Sequence, residues 1–143
     1  MKMAYALLRK GRIFMQSYSK ATTGLWVASG PVYIVAVDAP ENLDSIIRRA
    51  LDGSKEGVQH PSQNEWKAVQ APMLEAAGVK SWTALSKGAK AVGLHSENGI
   101  VKMTPSLNYE NKGGTSNLEA VVERELKNFD LGSALVEAFE ACR

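Results

Sequence analysis

A chain of 143 residues with 45% hydrophobic and 22% charged content has apolar side chains enough for one buried core and too few charges for a disordered tail, so one domain over residues 1–143 is expected. The formal net charge of +2 defines no partner by itself, although residues 1–20 carry bases and no acid, while the chain from Glu97 onward carries an excess of carboxylates. The single cysteine, Cys142, forms no internal disulfide, and no run approaches the roughly 20 apolar residues of a membrane helix, which together predict a cytoplasmic protein without a membrane partner.

From Arg12 to Tyr18, RIFMQSY is rich in β-formers; Thr22-Thr23-Gly24 makes a turn; LWVAS at 25–29 and VYIVAV at 32–37 follow on either side of Gly30-Pro31. The pattern predicts three short strands in an antiparallel meander, the third buried on both faces. Asp38 is then expected to cap a helix, with Pro40 in its first turn and Glu41 closing a capping box. Leu43, Ile46, Ile47, Ala50 and Leu51 recur at the spacing of one buried helical stripe, which Gly53 should end in the left-handed conformation.

Ser62 to Glu65 repeats the capping pattern after Pro61, and Trp66, Val69, Met73 and Ala77 continue at helical spacing. Pro72 predicts a kink or a split near Ala71, and Gly78 closes the segment. Ser81 can cap a short helical turn from Trp82 to Lys87. Ala89–His95 and Ile100–Thr104 read as strands around Asn98-Gly99, a hairpin signal because both central residues of a type I′ turn need positive φ. The polar stretch Pro105–Asn117 predicts a surface loop.

Leu118 to Leu126 fits two periods. Helical spacing aligns Leu118, Val121, Val122 and Leu126, whereas alternation puts Glu119, Glu123 and Glu125 on one strand face. Asp130 is expected to cap a final helix whose stripe is Leu131, Leu135, Ala138, Phe139 and Cys142. Cys142 then reads as a small core hydrophobe rather than a reactive thiol.

No constellation for catalysis emerges. His60 sits at a turn and His95 at a strand end, neither in a nucleophile motif. There is no HExxH, cysteine pair or acidic calcium loop, so no metal site is expected. GAKAVGL at 88–94 lacks the third glycine and following helix of a dinucleotide loop, so no cofactor is expected either. These absences favour binding over enzymatic turnover. An alternative reading, a small nucleic-acid-binding α/β domain, rests on Arg9, Lys10 and Arg12 near Phe14 and Tyr18.

The ordered set Ser54-Lys55, Gly57, His60-Pro61, Glu65-Trp66, Pro72, Leu74, Ala77-Gly78, Lys80-Ser81-Trp82 and Lys87-Gly88-Ala89-Lys90 resembles the immunity proteins of bacterial contact-dependent growth inhibition (CDI) systems. The resemblance extends to the Ser17-Tyr18 strand, Ala50-Leu51, Gly99, Pro105 and the helix from Leu131-Gly132 to Phe139. It implies an α+β fold, an antiparallel sheet of about five to six strands with about three to four helices, and it favours a strand for Leu118 to Leu126.

The resemblance also implies a cytoplasmic, non-enzymatic protein that neutralises the C-terminal toxin domain of a CDI exoprotein by stoichiometric occlusion. Such toxins are commonly nucleases; no direct nucleic-acid partner is implied for the immunity protein. Residues outside the shared pattern are then the expected interface: the loop Ser106–Asn117, with Tyr109 as an anchor beside Glu110 and Asn111, and the acidic face of Glu119, Glu123 and Glu125 as a phosphate mimic. Trp66 and Trp82 are expected to pack helices on the sheet. Exposed edge strands would allow weak homo-oligomer pairing.

Overall fold

In the computed structural model, which describes residues 1–39 and 42–143, the chain forms an α+β structure of eight strands and four α-helices. Five long strands build an antiparallel sheet: β1 (Lys2–Arg9), β2 (Arg12–Ala21), β3 (Trp26–Ala36), β5 (Lys90–Glu97) and β6 (Ile100–Leu107). Their order is β3-β2-β1-β5-β6. The short β4 (Glu56–Val58) runs parallel to the end of β2, while β7 (Thr115–Ser116) and β8 (Val122–Glu125) share the outer edge of β6.

The sheet begins one strand earlier than the meander expected from sequence. MAYALL alternates so that Ala4, Ala6 and Leu8 face one layer while Tyr5 and Leu7 face the other, and this central strand is apolar on both sides because helices cover both. The stretches 25–29 and 32–37 are not separate strands. They form one strand, β3, in which Gly30 and Pro31 bulge out between the Gln16–Val32 and Ser17–Ser29 pairs. Gln16 Nε2 donates to the Gly30 carbonyl at 2.9 Å, satisfying a backbone acceptor that the bulge frees. Nor is this strand buried on both faces: it is the sheet edge, and Ile34 is 46% exposed.

On one face, α1 (Leu43–Asp52) and α4 (Leu131–Glu140) pack Leu43, Ile47, Leu131, Leu135 and Phe139 against Ile13, Met15, Leu94 and Met103. On the other, α2 (Trp66–Ala77) and α3 (Trp82–Ser86) bring Met73, Ala77 and Leu85 onto Leu7, Phe14 and Ala91. The α1 and α4 stripes have the predicted spacing, whereas of the stripe predicted for α2 only Met73 and Ala77 are buried. Trp82 packs against this second cluster, but Trp66 is only half-buried and stands edge-on to His60 at 5.9 Å.

The capping roles shift by a few residues. Asn42 occupies the N-cap of α1; the predicted Pro40 and Glu41 contribution lies outside the described residues. Gly53 ends α1 with φ −75°, not left-handed, and glycine is required there by space: a Cβ would lie 2.5 Å from Ser17 Oγ. Glu65 reaches back to the Ser62 N–H at 2.9 Å, and this bond holds its carboxyl below the usual range. The helix α2 runs unbroken through Pro72, at the expense of the Ala68 carbonyl's helical partner. Gly78 ends it left-handed at φ 71°, and Ser81 caps α3 by accepting from Ala84 N–H.

Candidate partner-binding surface

The residues nominated from sequence follow the outer edge of β6, and the structure separates them into three groups. The stretch 105–117 is more ordered than a surface loop. The strand β6 continues to Leu107, β7 pairs Ser116 with Ser106 and Thr115 with Leu107, and Asn117 N–H donates to the Pro105 carbonyl at 2.7 Å. Between them, Asn111 N–H to Asn108 O, Gly113 N–H to Tyr109 O and Gly114 N–H to Asn111 O tighten the turn. A Cβ at Gly114 would overlap the Leu107 carbonyl, so only glycine fits beneath this turn.

Tyr109 is 6% exposed and packs among Leu7, Phe14, Met73, Leu85 and Ala91. It anchors the loop to the core rather than presenting itself to a partner. With Tyr5, Tyr18, Met73 and Trp82 it lines a cavity of about 230 Å³, where the Tyr5 and Tyr18 rings lie 5.4 Å apart. Burial pushes the Tyr109 hydroxyl up to about 12, with Tyr5 adding to the rise and Trp82 opposing it. Burial also raises Tyr18, helped by Tyr109 and Tyr5, and raises Tyr5. These phenols are neutral at physiological pH.

Glu110 and Asn111, immediately after the anchor, are exposed. One Glu110 oxygen accepts from the Gly88 backbone N–H, which ties the loop to the start of β5. Further along the edge, Leu118 to Ala120 form a single 3-10 turn, with Leu118 76% exposed beside Glu119. The expected strand then begins at Val122, so Glu119 does not share its face with Glu123 and Glu125. Within β8, alternation buries Val122 and exposes Glu123 and Glu125.

The two strand glutamates are already matched. Glu123 lies 3.5 Å from Lys102 on the neighbouring strand, and Glu125 lies 3.2 Å from Lys127. A phosphate mimic needs unopposed charge, so Glu119 is the one nominated strand-region acid without a salt bridge among the described residues. Sequence spacing could have flagged Lys127 beside Glu125; the Lys102–Glu123 pair needed the register.

Among the described residues, no group of three His, Cys, Asp or Glu could hold a metal ion. His60 Nδ1 lies 2.9 Å from the Pro61 carbonyl, and His95 sits within β5, its pKa lowered by burial, hence neutral at pH 7. Cys142 is buried against Ala91 O and Ser106 Oγ. No helix among the described residues is long and apolar enough to cross a membrane.

Residues 2–142 match the family model described as CDI immunity protein. The fold is shared with a protein of unknown function from Neisseria meningitidis (TM-score 0.81, 21% identity, covering 99% of this chain and 95% of that one). It is also similar to a chain of the CdiA-CT/CdiI toxin and immunity complex from Yersinia pseudotuberculosis (TM-score 0.79, 16% identity, covering 99% and 97%). The search of curated proteins found no match.

Proposed function

The chain belongs to the CDI immunity protein family, and from that premise we propose that it binds the C-terminal domain of a cognate CDI toxin inside the cell and inactivates it by stoichiometric occlusion, without turnover. The observation that carries this reading is the family match across residues 2–142. It is supported by a solved structure of the same fold that comes from a toxin and immunity complex. A nuclease is the toxin class we propose. We place the contact along the outer edge of β6, where Glu110, Asn111 and Glu119 are exposed and Glu123 and Glu125 lie farther along. Tyr109 serves this surface by holding the loop that presents its neighbours.

The test is co-purification with a candidate cognate CDI toxin C-terminal domain, followed by a nuclease assay on total RNA and DNA. A one-to-one complex in which nucleic acid survives supports the proposal. A toxin domain that remains fully active in the presence of excess protein contradicts it. Within the interface, Glu110→Ala with Asn111→Ala and Glu119→Lys should each weaken the complex about tenfold or more. Glu123→Ala should change it less, because Lys102 already offsets the Glu123 charge.

A further inference from the structure

Four cations that form no salt bridge among the described residues, Arg9, Lys10, Arg12 and Lys90, gather at one end of the sheet. The strands β1 and β2 turn through Lys10 and Gly11, and their last rung sets Arg9 directly opposite Arg12. One strand over, Lys90 pairs with Leu8 and emerges at the same end. None of these four forms a salt bridge among the described residues. Neither Asp38, which follows the Val37 whose N–H donates to the Gly11 carbonyl, nor Glu110, which accepts from the Gly88 N–H, forms a salt bridge with them among the described residues.

Local stability does not explain this arrangement. Like charges directly opposite across an antiparallel pair are destabilising. Lys10 adopts φ 52°, a conformation few non-glycine residues take, and Arg9 Nε is buried with no hydrogen-bond partner among the described residues. A single hairpin thus breaks three local rules at once, the mark of a site held for function.

We propose that this basic end of the sheet docks an acidic patch on the protein partner. The inference rests on the immunity reading and adds the partner's chemistry: a positive patch without a salt bridge among the described residues steers and orients an acidic surface, whereas Glu123 and Glu125 are offset by their lysines. A protein fits better than single-stranded nucleic acid, which is held by stacking on exposed aromatic rings. Here Phe14 is buried beneath the Arg12 guanidinium, 5.6 Å from its ring centre, and Tyr5 and Tyr18 are half-buried in the lining of the Tyr109 pocket.

The experiment compares wild-type protein with the triple variant Arg9→Gln, Lys10→Asn, Arg12→Gln. Each is titrated with the candidate cognate CDI toxin domain at low and physiological salt, and separately with a single-stranded RNA of about 20 nucleotides. The variant is expected to melt no lower than wild type, to bind the toxin domain at least about tenfold more weakly, and to lose much of its salt dependence. Unchanged affinity and salt dependence in a natively melting variant would overturn the proposal. RNA binding by wild type that disappears in the variant would reassign the patch to nucleic acid. Should the triple variant not fold, Lys10→Asn alone carries the comparison, with a smaller loss expected. Wild-type protein that binds no toxin domain defeats the immunity reading itself, and this inference with it.

Discussion

Burial keeps the Tyr109 and Tyr18 hydroxyls protonated beyond the range of an exposed phenol. Both folded-state pKa values exceed the unfolded value of about 10, so the folded chain holds protons that the unfolded chain releases. The contribution of these two phenols is therefore constant below about pH 10 and falls as pH rises from there through about 12. Melting followed by circular dichroism should show that decline, and Tyr109→Phe should remove part of it. Deleting the ring is a different matter: Tyr109→Ala should cost about 3 kcal/mol, since it empties a site packed on Leu7, Phe14 and Met73. Denaturant unfolding measures that loss directly, and a value below 1 kcal/mol would mean that the loop is not anchored there. The burial of Tyr109 was hidden in the sequence because its surroundings, NYENKGG, are polar; only the fold of β6 brings it over Leu85 and Ala91.

At the scale of elements, the two helices on one face are joined through a single carboxylate. Asp44 accepts from Arg48 Nε at 2.6 Å and from the Leu131 N–H at 3.1 Å, so a residue of α1 caps α4. Arg48 continues the connection, donating to the Asn128 carbonyl at 2.8 Å and lying 4.8 Å from the Phe129 ring centre. The expected cap, Asp130, makes no side-chain bond to the helix and pairs with Arg124 instead. Asp44→Ala should therefore destabilise by about 1–2 kcal/mol and Asp130→Ala by less; equal losses in denaturant unfolding would contradict this division. Helix stripes, the Asn98-Gly99 hairpin and the Ser81 cap were readable because they depend on neighbours within a few residues. The Asp44 cap spans 87 positions, and no local pattern encodes it. Gly53 misled for a related reason: its glycine answers Ser17 on β2, not the helix end it follows. Gly53→Ala should cost about 1–3 kcal/mol through that overlap.

For the whole molecule, two apolar layers of helices hold one antiparallel sheet between them. The ordered Gly, Pro and Trp positions from Ser54 to Lys90 made the family legible because they fix turns and packing, as the left-handed Gly78 and the packed Trp82 show. The candidate surface was less legible. Whether a charge is free depends on register, as the Glu123–Lys102 pair and the Arg9–Arg12 rung show. The most direct test is calorimetric titration of this protein with the CDI toxin domain proposed as its partner, with toxin activity measured on the same samples. A one-to-one complex that falls silent at equivalence is expected. Tight binding that leaves the toxin active, or no binding by a natively folded protein, would contradict it.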